Sequence, residues 1–138
     1  MNKSVVVRKS KGARYAVRIF SLLFFIFAVI CVAAMKCGKL YAALAWGIVL
    51  IPFLIFEFYL ETWRISFGGK ICKKTLFFLH KYEWRELAEA KKYYSLASNG
   101  EKIVMTFKNG KSLSFIGKDE NAEKAEKIIL THCNISTQ

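Results

Sequence analysis

The sequence predicts an α+β membrane protein: a two-helix transmembrane hairpin followed by a small antiparallel β domain that a C-terminal α-helix closes. Three observations predict it. Two runs without a charged side chain, Ile19–Met35 and Leu40–Phe56, lie four residues apart. After Glu61 the pattern changes from continuously apolar to alternating, the period of a half-buried strand. Near the end, Ala122, Ala125, Ile128, Ile129 and Cys133 recur at helical spacing.

The domain boundaries follow from these changes. Residues 1–17 form a basic arm, 18–60 the helical hairpin (about 18–36 and 39–60), 61–134 the second domain, and 135–138 a frayed tail. Each charge-free run is near the lower limit for crossing a hydrocarbon core of about 30 Å. Arg18 and Lys36 flank the first run and Lys39 and Glu57 the second, where long polar side chains reach the interface. Tyr15, Tyr41, Tyr59 and Trp63 stand where interfacial aromatic anchors are expected. Helices apolar on every side need more protein to cover them than 138 residues supply, so a soluble helical core is excluded. A cleaved signal peptide ending near Ala34 fits poorly, because the apolar stretch is too long and a second one begins at once.

Only Lys36-Cys37-Gly38-Lys39 separates the two runs, so the helices turn back on each other and both chain ends share one side. The arm carries Lys3, Arg8, Lys9, Lys11 and Arg14, with Arg18 at the helix start, and no acid. By the positive-inside rule Arg8, Lys9, Lys11, Arg14 and Arg18 determine the topology and put both termini in the cytoplasm of a multi-pass cell-membrane protein. Pro52 falls inside the second helix, where proline usually introduces a kink, and neither helix has an ionisable residue at its centre, which argues against a proton relay or transporter.

In the second domain, Trp63-Arg64-Ile65-Ser66-Phe67 reads as a strand and Gly68-Gly69 as its turn. Ile71–Leu79 reads as one longer strand that ends at His80. Tyr82–Leu87 reads as either strand or short helix. Tyr93–Ala97 is apolar and aromatic, and Ser98-Asn99-Gly100 after it marks a turn. Lys102–Lys108 and Ser112–Ile116 pair across Asn109-Gly110, the strongest hairpin signal in the chain. Asp119 is the expected N-cap of the final helix, with Glu120 and Glu123 in its first turn.

The formal net charge is +12, and residues 61–138 hold 14 Lys/Arg against 9 Asp/Glu. A basic excess suits nucleic acid or an anionic membrane surface. With membrane helices between the basic parts and no recognition motif, the membrane is the simpler partner and no nucleic acid is expected. Lys70, Lys73 and Lys74, together with Lys91 and Lys92 before Tyr93-Tyr94, are the candidate contacts for anionic headgroups or for a membrane-protein partner.

Cys31, Cys37, Cys72 and Cys133 form no CxxC pair, and their spacing is that of neither a disulfide framework nor a zinc site. Cys31, Cys72 and Cys133 are expected as small buried hydrophobes. His80 and His132 stand apart from any nucleophile, and no phosphate-binding or dinucleotide motif occurs. No enzymatic activity, cofactor or metal is therefore expected.

The element order resembles the pleckstrin-homology (PH) superfold, and within it small bacterial membrane proteins in which a PH-like domain follows two helices (the YcxB-like and bacterial PH groups). The residues that carry the resemblance are Trp63-Arg64-Ile65 with Gly68-Gly69 after the membrane, and Tyr82-Glu83-Trp84-Arg85-Glu86-Leu87, which is similar to the family's W-x-E-I strand with Leu87 for Ile. The Asn109-Gly110 hairpin and the closing helix complete it, over about residues 15–134. The hairpin anchor, the PH-like strand-then-helix domain and the lack of catalytic groups together point to a non-enzymatic membrane-anchored interaction module, an adaptor or regulator with a membrane-protein partner or a second copy of itself. Phosphoinositide-binding PH domains use a long basic loop between their first two strands, and Gly68-Gly69 does not supply one. The alternative from the helices alone is a small holin-like or transport-accessory protein.

Overall fold

The computed structural model describes residues 4–137; Lys3 of the basic arm lies outside them. The chain divides into two compact units, one formed by residues 11–62 and one by residues 4–10 together with 63–137. In chain order, the elements are β1 (Val5–Arg8), α1 (Lys11–Ala34), α2 (Lys39–Thr62), β2 (Arg64–Phe67), β3 (Ile71–Thr75), β4 (Phe78–Tyr82), a 3-10 turn (Trp84–Glu86), β5 (Leu87–Ser95), β6 (Gly100–Phe107), β7 (Ser112–Ile116), α3 (Ala122–His132) and β8 (Ile135–Thr137).

The helical unit is an antiparallel pair. Both helices have the length and apolarity to cross a membrane. Gly38 adopts φ +73° in the connection, a value that glycine reaches without strain, and its carbonyl accepts the first turn's N–H from Ala42 at 3.1 Å. The seam is aromatic: the Phe24 ring lies 4.9 Å from Phe53 and 5.4 Å from Trp46. Almost every other apolar side chain faces outward, among them Ile19, Phe20, Leu44 and Ile48. At one end the charges pair across the seam, with Arg14 3.5 Å from Glu61 and Arg18 3.4 Å from Glu57 and 2.7 Å from Glu61. Arg14 and Arg18, read from the sequence as topology determinants, are thus partnered by carboxylates of the second helix. Helix α2 continues through Pro52.

The β unit has two four-stranded sheets, in the orders β1-β2-β3-β4 and β7-β6-β5-β8. Their inner faces meet in one core: Phe67 packs against Phe115 at 5.7 Å, and Tyr82 stacks on Phe107 at 4.6 Å. Val7, Ile65, Ile71, Ile103, Met105 and Leu113 are buried between them, and α3 adds Ala122, Ala125 and Ile129.

Four expectations are corrected. Residues 5–8 are not part of a separate arm: Val5-Val6-Val7-Arg8 pairs antiparallel with β2, and Val7 is fully buried. A run of three β-branched residues extends readily, and an open sheet edge supplies the partner. The stretch Ile71–Leu79 is not one strand. It folds back at Leu76-Phe77, so that β3 and β4 form a hairpin and His80 lies within β4. Asp119 is not the N-cap of α3: Asn121 holds that position in a left-handed conformation (φ +63°), and Asp119 lies in the preceding turn. The tail is not frayed, since Ile135–Thr137 adds to β5 as a parallel edge strand.

The ambiguous Tyr82–Leu87 segment is divided: Tyr82 ends β4, Trp84–Glu86 makes the 3-10 turn, and Leu87 opens β5. The Asn109-Gly110 hairpin forms as expected, with Gly110 at φ +81°. Cys37 is exposed, and Cys31, Cys72 and Cys133 are half-buried free thiols.

Candidate functional site

In an antiparallel ladder, directly opposed residues share a face, and neighbours along one strand take opposite faces. The register of the first sheet puts Val7, Ile65, Lys73 and His80 in one row and Val5, Phe67, Ile71 and Tyr82 in another. Both rows belong to the inner face, since Val7, Ile65, Phe67 and Ile71 are buried. The outer face therefore holds Val6, Ser66, Cys72 and Lys81 in one row and Arg8, Arg64, Lys74 and Leu79 in the other.

Arg8, Arg64 and Lys74 are three cations directly opposed on three adjacent strands. Like charges directly opposite each other destabilise a sheet. Lys70 and Lys92 have carboxylate partners, whereas Arg8, Arg64, Lys74 and Lys81 form no ion pair among the described residues. This unneutralised row is the most unusual electrostatic feature of the β unit.

Beside it is an apolar tip. The β3–β4 turn and the start of β4 expose Phe77 (85%), Phe78 (65%) and Leu79 (55%). Leu76 turns the chain at φ +49°, a conformation that Asn or Gly adopts more easily. Sequence reading missed this feature because Ile71–Leu79 contains no turn residue. The available signal was the density of large apolar side chains over 76–79.

The five lysines named from the sequence do not form one patch. Lys70 lies 3.5 Å from Glu83, which also pairs with Arg85. Those cations, Arg85 foremost, hold the Glu83 carboxyl below its ordinary value. Lys73 and Lys74 are neighbours on β3 and so begin on opposite faces, with Lys73 in the Ile65 row. Lys91 pairs with Glu89 at 3.3 Å. Lys92 bridges two elements, 2.9 Å from Glu126 of α3 and 3.1 Å from Glu101 of β6. The hydrogen bond to Glu126 is the main reason that the Lys92 ammonium holds its proton above the ordinary lysine value. Lys92 thus ties α3 to the sheet, and Lys74 alone of the five stands in the unpaired row.

Of the arm cations, Arg8 belongs to that row and Lys9 has a structural role. The Lys9 ammonium lies 4.0 Å above the Trp63 ring and 3.6 Å from Asp119. Asp119 is buried, and its carboxylate accepts the Ile116 N–H at 3.1 Å. Burial pushes its pKa up, against the smaller opposing effects of that hydrogen bond and of Lys9. Glu120 then exchanges backbone hydrogen bonds with Arg8, and Asn121 Nδ2 donates to the Val6 carbonyl at 2.9 Å. These contacts clip β1 onto the turn before α3. Lys11 is exposed in the first turn of α1.

At the other end of the first sheet, Trp84 Nε1 donates to the Gly68 carbonyl at 2.7 Å, and the Trp84 ring stacks on His132 at 3.9 Å. His132 therefore closes the C-terminal end of α3 against the β4–β5 connection, while His80 is exposed on β4. No cluster of three metal-ligating side chains occurs among the described residues.

No family model matches the chain, and no curated protein matches it.

Proposed function

We propose that the chain is a non-enzymatic, membrane-anchored, PH-like interaction module, an adaptor or regulator at the cytoplasmic face of the cell membrane. The observation that carries this reading is the chain path. β1 precedes the two apolar helices and β2 follows them, and β1 and β2 are paired neighbours in one sheet. The helix pair is thus an insertion between two adjacent strands, and the β unit is tethered at two points. Outward apolar side chains on both helices are costly in water and comfortable in lipid.

The PH-like reading rests on layout: a four-strand meander, a three-strand meander packed across it, and a closing helix. With β1 counted, the helix pair itself joins the first two strands and Gly68-Gly69 joins the second and third. A long basic phosphoinositide loop is still missing, so that ligand is not carried over. The unpaired Arg8–Arg64–Lys74 row suits anionic headgroups or an acidic face of a membrane-protein partner.

Two experiments test the reading. A membrane-impermeant thiol reagent applied to intact spheroplasts is expected to label Cys37 in the hairpin turn and to reach Cys133 only after lysis. The reverse pattern would invert the topology. Purification of the full chain from gently solubilised membranes is expected to bring a stoichiometric membrane protein with it. Recovery alone under every condition, or dye leakage from vesicles that hold only the pure chain, would replace the adaptor with the holin-like alternative.

A further inference from the structure

We propose that the β3–β4 tip is a wedge that enters an anionic bilayer, with Phe77 and Phe78 in the leaflet and Arg8, Arg64 and Lys74 on the headgroups. This inference rests on the membrane-anchored reading above and adds a specific contact to it. Three observations support it. The tip presents consecutive large apolar side chains to the outside, in a turn whose backbone conformation favours small polar residues. Aromatic rings beside cations suit the boundary between headgroups and acyl chains.

The second observation is register. Arg8 pairs with Arg64, Arg64 with Lys74, and Lys74 with Leu79. The tip therefore extends from the end of the sheet at which the chain leaves Arg8 for α1 and returns to Arg64 from α2. The tip, the cations and the two chain connections thus share one end of the sheet. The third observation is charge. The cations between the tip and those connections have no carboxylate partners among the described residues, and an anionic surface provides them. A lipid surface thus accounts for the apolar tip, the cations and their common end together.

The test uses the full chain reconstituted into vesicles of phosphatidylcholine with a minority of phosphatidylglycerol, with and without bromine on the acyl chains. Phe77→Trp and, as a second probe, Phe78→Trp add an indole at the tip; Lys108→Trp adds one on an exposed polar turn of the other sheet. Co-flotation and resistance to alkaline carbonate report first whether the chain is anchored at all. In anchored protein, the emission added at position 77 or 78 is expected to be largely lost with brominated chains, and that added at position 108 to be retained. The double change Arg64→Glu, Lys74→Glu is expected to restore most of the tip emission. Anchored chain whose tip emission ignores bromine overturns the wedge and leaves the anchor intact. A blue-shifted, bromine-insensitive tip whose shift fades as protein is diluted in the bilayer also overturns it, in favour of contact with a second copy. Release by carbonate overturns the membrane reading itself.

Discussion

Lys9 and Asp119 show how one residue's role depends on its partner. As one of a series of arm cations, Lys9 reads as a topology signal; in the fold it seals β1 by lying between Trp63 and a buried carboxylate. Asp119 makes this strap pH-dependent. Its folded pKa lies above 3.8, so just above that value the folded state holds a proton that an unfolded Asp has lost. This group's contribution therefore improves as pH falls toward 3.8 and is poorest above the folded pKa, where the buried charge is carried. Asp119→Asn cannot titrate. The melting temperature of wild type minus that of the variant is thus expected to rise between neutral pH and pH near 3.8, and a flat difference would remove Asp119 from this role. Glu83 acts in the opposite sense: held below 4.5 chiefly by Arg85, its contribution is present above 4.5 and lost as pH falls through the folded value. Lys92 is a second such case. Lys92→Met leaves Glu101 and Glu126 without their shared cation and is expected to cost about 1 kcal/mol in a denaturation midpoint, with salt narrowing the difference.

At the scale of elements, strands were legible where punctuation was local. Asn109-Gly110 turns by its own chemistry, with Gly110 at positive φ, and the β2–β3 connection falls at Gly68-Gly69-Lys70, so both hairpins form where read. The β3–β4 turn uses Leu76 and Phe77, which have no such chemistry, so only pairing between Ile71–Thr75 and Phe78–Tyr82 reveals it. β1 was harder still. Its four residues lie beside a basic helix start, and their partner strand is more than fifty residues away in sequence. Val7→Ala tests whether that strand matters. A fully buried valine reduced to alanine is expected to cost roughly 2 kcal/mol, measured by thermal denaturation of the detergent-solubilised chain. An unchanged midpoint would make β1 an ornament on the edge of the sheet.

For the whole molecule, a domain starting at Glu61 is incomplete, because the strand that covers β2 comes from before the helices. Since Arg8 and Arg64 are direct partners, a short turn can replace everything between Ser10 and Trp63. A chain with Ser10 joined to Trp63 through two glycines is expected to be monomeric in water and to melt cooperatively. The same chain without residues 1–10 is expected to aggregate through the bare β2 edge. Equal behaviour of the two by size-exclusion chromatography and melting would show that the domain needs no contribution from the arm.

The sequence by itself determined the paired apolar helices, their tight connection, the antiparallel β character of the later chain and the closing helix. Each of these is a contrast between near neighbours, visible as a charge-free run, an alternation or a turn dipeptide. Only the tertiary structure decided that the basic arm supplies a strand, that Lys92 is bound to Glu101 and Glu126 while Lys74 is not, and that Arg8, Arg64 and Lys74 form one row. Those outcomes depend on register and on partners distant along the chain. A shift of one residue in a strand exchanges its faces, so composition alone cannot say which cation meets a carboxylate and which is left to meet a surface.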